Sequence, residues 1–416
     1  MPRILHVLAQ RPGRTGSGVT LDAVVAQAAR RGWDQAALVG VPVDDGRPAV
    51  GGLGEGRIAR VTFAADDPAH AGPRPDLPFA VPGMSDVMPY ASSVWSRLAP
   101  ADVDLYAETW RRRIAGQVAA FRPDVILVQH LWLAAAAAVE AASGVPVVAA
   151  CHATGLRQRE LCPRLAGRVA AGCRGLAGAA VLRPDQRDPV AAITGLAPDR
   201  IAVVGVGFRD DVFHGPAAPD AEREACVLYA GKISRAKGLP WLLDAFGQLA
   251  RARPGLRLLI AGGGSGEEAA SLQARIAALG PAVTALGPLA PAALADQMRH
   301  AAVFVLPSFY EGVPLVLAEA AACGCRVVAT DLPGIREVLA APLAGRLALI
   351  PPPALVGPDE PDPGDLPRFT AALTASLEAA LAARPLNSRE VATFPDLTWE
   401  HVFKRLEKLL LSVIFT

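Results

Sequence analysis

Short apolar and β-branched runs recur along this chain, and longer stretches with helical spacing stand between them. The first series is Ile4 to Ala9, a helical pattern near Val19 to Arg31, Gln35 to Val39, Val125 to Gln129 and Val145 to Cys151. Runs without polar alternation describe strands buried on both faces, so the pattern predicts parallel sheets covered by helices. A second series begins after Arg223 with strand Cys226 to Ala230, helix Leu239 to Ala252, strand Leu256 to Ala261 and helix Glu267 to Ala278. It continues through strands Val283 to Leu286 and Val303 to Leu306, helix Pro314 to Ala322 and strand Arg326 to Thr330. Two such series within 416 residues predict an α/β protein of two doubly wound, Rossmann-like domains.

The expected division is residues 1–207 for the first domain, 208–395 for the second, and 396–416 for a final helix that returns to the first. Gly207, Asp210, Asp211, Gly215, Pro216 and Pro219 interrupt the patterning near the join. The last helix is expected to be capped by Thr398 and to run from Trp399 towards Leu411. Ligands of open parallel sheets sit beyond the carboxyl ends of the strands, so two facing domains predict a central cleft. The Pro-rich stretches Phe63 to Ala101 and Pro351 to Pro367 read as long loops.

Charge is balanced, with Lys+Arg 41 against Asp+Glu 40, which argues against a nucleic-acid partner. The apolar run at Ile4 is too short for a signal segment, and no run reaches the roughly 18 apolar residues of a membrane span, so a cytoplasmic protein is expected. Trp110-Arg111-Arg112-Arg113 reads as a solvated helix face, so peripheral membrane contact has no positive support. The six cysteines form no CxxC pair and read as buried thiols; no metal site is expected.

Chemistry concentrates in the second series. The strand Cys226 to Ala230 stops at Gly231 and delivers Lys232 and Lys237 to the loop before a helix. Cations at a strand's carboxyl end can neutralise a diphosphate whose charge grows as a bond to it breaks. In Val303 to Glu319 a strand ends at Pro307 and a helix begins, with Pro314 expected at its first position. Glu311, Gly312, Val313, Pro314 and Leu315 form that junction, and the helix N-terminus offers N–H groups and a positive dipole end to an anion. Glu319 lies five residues past Pro314, about 7.5 Å along the axis, so the two carboxylates reach different parts of one ligand. Each suits a pair of neighbouring hydroxyls, Glu319 a ribose diol and Glu311 those of a sugar.

These segments, with Ala320 to Glu337 behind them, resemble the signature region of the family 4 glycosyltransferases, retaining enzymes of the GT-B fold. The resemblance is dense over roughly residues 224 to 340. It implies that Glu311 touches the donor sugar, Glu319 the ribose, and Lys232 and Lys237 the diphosphate. Lys232 stands where the family commonly has Arg, so it brings a point charge without a bidentate fork. In the first domain, Arg14 to Val19 is similar to the family's glycine-rich loop, which places Gly16 near the donor phosphate or the acceptor. His130, after Val125 to Gln129, matches a histidine that contacts the donor sugar, and His152 is a second candidate. The family works without a protein nucleophile, the departing phosphate taking the acceptor's proton, and usually without a metal.

Two other signals lead nowhere. Ala261 to Glu267 has Glu267 where a dinucleotide fingerprint needs its third glycine, and Asp102-Val103-Asp104 lies in a helical stretch. The expectation is therefore a retaining glycosyltransferase with a nucleotide-sugar donor as substrate and no cofactor. Its acceptor is unspecified: a glycan, a lipid-linked molecule or a small molecule, with Met84 to Tyr90 as a candidate acceptor surface. A sugar-nucleotide epimerase of the same fold, or a non-catalytic sugar-nucleotide-binding or scaffold protein, are the alternatives.

Overall fold

A computed structural model describes residues 1–46, 48–67, 69–85, 88, 90–215, 224–264, 266–357, 360–383 and 394–415. The chain divides into two compact units, Met1–Gly205 with Trp399–Thr416, and Val206–Thr398.

Unit 1 contains, in chain order, β1 (Arg3–Leu8), α1 (Gly16–Arg30), β2 (Asp34–Pro42), β3 (Ile58–Phe63), α2 (Pro100–Phe121), β4 (Val125–Gln129) and α3 (Leu133–Ala141). Then follow β5 (Val147–Cys151), α4 (Thr154–Leu161), α5 (Pro163–Cys173), β6 (Gly178–Val181), α6 (Arg187–Thr194) and β7 (Ile201–Val203). Among the described residues the strands form a seven-stranded parallel sheet in the order β3-β2-β1-β4-β5-β6-β7. The central strands are apolar on both faces, Ile4, Leu5, Val7 and Leu8 of β1 and Val125 to Val128 of β4 being fully buried. Helices therefore cover both sides, as expected for continuous apolar strands.

Unit 2 runs β8 (Glu224–Ala230), α7 (Leu239–Ala252), β9 (Arg257–Ala261), α8 (Gly266–Ala278), β10 (Val283–Gly287), α9 (Pro291–His300) and β11 (Ala301–Leu306). It continues with α10 (Leu315–Ala322), β12 (Arg326–Thr330), α11 (Pro333–Val338), β13 (Leu347–Ile350) and α12 (Leu366–Ala382). Its described strands form a six-stranded parallel sheet, β10-β9-β8-β11-β12-β13. In each sheet the order reverses direction once, between β1 and β4 and between β8 and β11. Those crevices are where doubly wound sheets bind ligands.

The last helix, α13 (Trp399–Ile414), belongs to unit 1. Trp399, Val402, Phe403, Leu406, Leu409, Leu410 and Val413 form its buried stripe, and Phe403 meets Trp33 edge-on at 6.4 Å. Burial of each large apolar side chain contributes roughly 1.5–3 kcal/mol, against about 0.2–1 kcal/mol for a surface ion pair such as Arg31–Glu407 at 3.2 Å. The apolar stripe therefore decides the docking.

Three helix starts differ from the sequence reading, α8 by one residue at Gly266. Helix α1 begins at Gly16 rather than near Val19, because Thr15 is extended and its Oγ1 caps the Gly18 N–H at 3.4 Å. Gly16 is thus a first-turn residue, with nothing near the position of a Cβ; at Gly18 a Cβ would lie 2.5 Å from the Gly13 nitrogen. Helix α10 begins at Leu315, since Pro314 has an extended ψ of 97° and is the N-cap, not the first helical residue. The junction residues Pro216 and Pro219, and parts of Met84 to Tyr90, lie outside the described residues.

Candidate functional site

At the β8/β11 crevice of unit 2 the lysine loop and the loop after β11 are fastened to each other. The Phe309 N–H donates to the Ala236 carbonyl at 3.0 Å. Gly238 follows Lys237 in the left-handed region (φ +70°), where a Cβ would stand 1.9 Å from the Pro307 carbonyl oxygen, so only glycine permits this approach. Phe309 is buried and packs edge-on against Trp241 at 5.0 Å and Phe369 at 5.3 Å, which pins its loop to α7 and α12.

This framework brings Lys237 and Glu311 together, Nζ to Oε1 at 2.7 Å, both side chains mostly covered. Lys232 is exposed in the same loop. Partial loss of hydration and the nearby Lys237 move its ammonium pKa down from the ordinary lysine value, and Glu311 opposes that change. Its backbone is held by the buried Tyr229, whose hydroxyl donates to the Lys232 carbonyl at 2.6 Å. A Cβ on Gly231 would lie 2.8 Å from that hydroxyl, and one on Gly262 (φ +135°) only 1.9 Å from the Gly231 carbonyl oxygen. Gly231 thus makes room for the tyrosine latch.

Gly312 and Val313 are partly exposed in the turn, Pro314 is buried, and Leu315 opens α10. The first N–H groups of a helix have no intrahelical acceptors, so this end of α10 can receive an anion. Glu319 lies one turn further on, partly exposed, and burial pushes its carboxyl up to about 7. The crevice therefore combines two lysines, a helix N-terminus and two carboxylates in different environments. Such a set can neutralise a diphosphate and accept hydrogen bonds from hydroxyls.

At the β1/β4 crevice of unit 1, Leu8 pairs with Gln129 in register, and Gln129 with Ala150 of β5. Just beyond, Gln10 Oε1 accepts from Ser17 Oγ at 3.1 Å and lies 2.9 Å from His130 Nε2. His130 has φ +74°, uncommon for a side-chain-bearing residue, and its Nδ1 is 3.1 Å from Thr154 Oγ1. Both ring nitrogens of His130 are therefore engaged within the protein. Burial, with His152 beside it, holds its pKa well below the ordinary value. His152 lies 5.0 Å away, ring to ring, with Nε2 2.6 Å from Gln129 Oε1, and burial lowers its pKa to about 4. Gly16 stands one residue from Ser17 and makes no side-chain contribution of its own.

Other signals resolve as surface or core. Asp104 pairs with Arg168 at 2.5 Å on the surface of unit 1. All six cysteines are buried, and none is in a disulfide. Among the described residues no group of three or more His, Cys, Asp or Glu is arranged to hold a metal, and no helix is long and apolar enough to cross a membrane.

Residues 224–357, which carry both loops of the β8/β11 crevice, match the family described as Glycosyl transferases group 1. This segment is a group 1 glycosyl transferase domain. The chain is 33% identical over 259 residues to the D-inositol 3-phosphate glycosyltransferase 1 of Catenulispora acidiphila, covering 54% of this chain and 60% of that one. It is 38% identical over 137 residues to the D-inositol 3-phosphate glycosyltransferase of Paenarthrobacter aurescens, 32% of this chain and 31% of the relative. The aligned part thus spans less than two thirds of either relative. In three dimensions it resembles the sucrose-phosphate synthase of Thermosynechococcus elongatus, with a TM-score of 0.68 at 19% identity over 99% of both chains. It also resembles the Anabaena protein HepE in complex with UDP-glucose, with a TM-score of 0.60 at 18% identity over 99% of this chain and 100% of that one. The two parallel-sheet units are those of the GT-B fold.

Within the group 1 domain, the motif residues Gly231, Lys232, Lys237, Glu311 and Glu319 all border one crevice. Sequence reasoning missed the residues that hold them, Tyr229 and Phe309, because both look like ordinary core aromatics. It also missed Gln10, Gln129 and Gln158, each buried with at least one amide atom unpartnered. A usable signal existed for one: Gln129 is a polar residue closing an otherwise apolar strand.

Proposed function

We propose that this protein is a retaining glycosyltransferase that moves a sugar from a nucleoside diphosphate donor to an acceptor hydroxyl. The carrying observation is the fastening of the two lysines, Glu311 and the start of α10 around the β8/β11 crevice. In this reading unit 2 binds the donor, with Lys232, Lys237 and the backbone N–H groups of Gly312, Val313 and Leu315 on the diphosphate. Glu319 takes the ribose and Glu311 the transferred sugar. For unit 1 the reading keeps what the resemblance implies, Gly16 near the donor phosphate or the acceptor, and His130, with His152 as second candidate, on the donor sugar.

The bond from the anomeric carbon to the diphosphate oxygen breaks, and the acceptor oxygen bonds to the same face of that carbon. The acceptor's proton passes to the departing diphosphate, so the protein needs positioning and charge more than a nucleophile. Lys237 is neutralised by Glu311 in the free protein. Arrival of the diphosphate gives the lysine a stronger anion and frees Glu311 to accept from sugar hydroxyls. The positive charge that this step requires comes from lysines and a helix end, which makes the reaction independent of a divalent metal and of any resident cofactor. A structural neighbour complexed with UDP-glucose makes that molecule the first donor to try, and the inositol phosphate relatives suggest a polyol phosphate among the acceptors. A nucleotide-sugar donor, a cytoplasmic metabolite, supports a cytoplasmic location for the reaction.

The test is product stereochemistry: NMR of the glycoside formed from an α-linked donor, with and without EDTA. An α-linked product in both supports the reading; inversion, or loss of activity with EDTA, overturns the corresponding part.

A further inference from the structure

Beyond the carboxyl end of β1 the chain runs Gln10-Arg11-Pro12, and Arg11 is only 6% exposed. A guanidinium that leaves water needs counter-charges around it. Two carboxylates meet it here, and they come from different loops. Arg11 Nη2 donates to Asp45 Oδ2 at 2.8 Å, in the loop after β2, and Nη1 donates to Asp66 Oδ2 at 2.5 Å, in the loop after β3. The Tyr90 ring covers the same group, its centroid 5.3 Å from Cζ. Burial works against the charge, but Asp66 and Asp45 outweigh it and raise the guanidinium pKa above its ordinary value.

The two acidic loops also touch each other. Asp44 accepts from the Asp66 and Asp67 N–H groups, both at 2.9 Å, and the Val43 N–H donates to the Phe63 carbonyl at 2.9 Å. Asp44, Asp45, Asp66 and Asp67 thus stand together at the ends of neighbouring strands, and Arg11 reaches them from the third. On its own side Arg11 is anchored by Gln10, which is buried and engages Ser17 and His130. The turn from Gln10 to Gly18 is therefore one packed piece, and Arg11 is its arm onto the next two loops. The fork is essential to this, since its two ends reach separate acids, which the point charge of a lysine does not match.

We infer that Arg11 is a positioning residue for the acceptor: its clasp on Asp45 and Asp66 sets the spacing of the strand-end loops against which a hydroxylated acceptor lies. This rests on the glycosyltransferase reading and deepens it within unit 1. Ligands of a parallel sheet lie beyond the carboxyl ends of its strands, where all three loops stand. In the sheet order β2 and β3 lie across β1 from β4, so these loops are on the far side from His130. Tyr90, which covers Arg11, ends the stretch expected to face the acceptor. Removing Arg11 takes away the cation between Asp45 and Asp66, and like charges then push the two loops apart.

The test uses the full chain, UDP-glucose as donor, and D-inositol 3-phosphate with a panel of free monosaccharides and polyols as acceptor probes. Arg11→Met is expected to raise the acceptor KM by about ten- to a hundredfold, the scale on which a misplacement of about 1 Å is felt. Calorimetric affinity for UDP-glucose should stay unchanged, because the donor groups of unit 2 are untouched. Arg11→Lys, which keeps the charge without the fork, should fall between parent and Arg11→Met. Asp45→Asn and Asp66→Asn, milder changes at the same clasp, should each act in the same direction. KM does not depend on the fraction of chains that are folded, so this pattern separates positioning from loss of stability. Hydrogen exchange reads the clasp without activity: the Asp66 and Asp67 amides are expected to exchange faster in Arg11→Met. A fall in kcat with the acceptor KM unchanged overturns the inference, as does equal weakening of UDP-glucose and acceptor, or unaltered exchange of those amides. A parent chain that binds UDP-glucose yet releases no nucleoside diphosphate to any acceptor in the panel counts against transfer itself, and Arg11 then has no acceptor to position.

Discussion

Lys237 Nζ lies 2.7 Å from Glu311 Oε1, across 74 residues of sequence, because Gly238 and Phe309 lock their two loops together. The lysine that is best placed for a diphosphate is therefore paired before any ligand arrives. Lys237→Ala should lower turnover by roughly 10²–10³, the effect of removing a preorganised charge from a developing anion. Glu311→Gln should weaken discrimination between donor sugars more than it weakens binding of the bare nucleoside diphosphate. Steady-state kinetics with two donors check both, and an unchanged turnover in the lysine variant would remove Lys237 from the mechanism.

Gly238 tests the clasp itself. Gly238→Ala must move the Pro307 carbonyl and also hold alanine at φ +70°. The expected result is a fall in melting temperature of several degrees, at about 2–4 °C per kcal/mol for a domain of this size, together with a larger loss of donor affinity. A variant that melts and binds like the parent would mean that the loops are not held by this contact.

Much of this arrangement was legible in the sequence, for physical reasons that can be named. Strands β4 and β12 were readable to the residue because apolar runs buried on both faces end abruptly at polar residues or glycine, and helix α7 because Gly238 and Arg253 bound an amphipathic stripe. Strands β6 and β7, of four and three residues, carry too few positions to show a period. The start of α1 was missed because Thr15 caps it ahead of two glycines, which read as loop. Lys232, Lys237, Glu311 and Glu319 were visible as a charge pattern at two strand ends. The pairing of Lys237 with Glu311 was not, since it depends on a close backbone approach between distant segments. The inequality of His130 and His152 was hidden for a related reason: it is set by glutamines whose partners lie on neighbouring strands.

Glu319 gives a pH signature. Burial raises its carboxyl from 4.5 to about 7, so the folded state holds the proton more tightly than the unfolded chain does between those values. The associated stability is fully present below about pH 4.5 and is lost as pH rises through 7. Each tenfold difference in proton affinity between the two states corresponds to roughly 1.4 kcal/mol, a conversion that overstates the effect for a side chain that is partly exposed. Glu319→Gln should therefore gain stability relative to the parent as pH rises from 5 towards 8, read as diverging melting temperatures. The same variant should bind nucleotide more weakly, since a neutral amide is a poorer acceptor for a ribose diol. Parallel melting curves across that range would show that the carboxyl is not desolvated.

The central claim is that the β8/β11 crevice binds a nucleotide sugar for transfer. The measurement that meets it most directly is release of free nucleoside diphosphate from a panel of nucleotide sugars, beginning with UDP-glucose, with and without D-inositol 3-phosphate and other hydroxyl acceptors. Release that depends on the acceptor, abolished by Lys237→Ala, is the predicted result. Tight donor binding with no acceptor-dependent release from any member of the panel would contradict transfer and leave a protein that only holds the nucleotide.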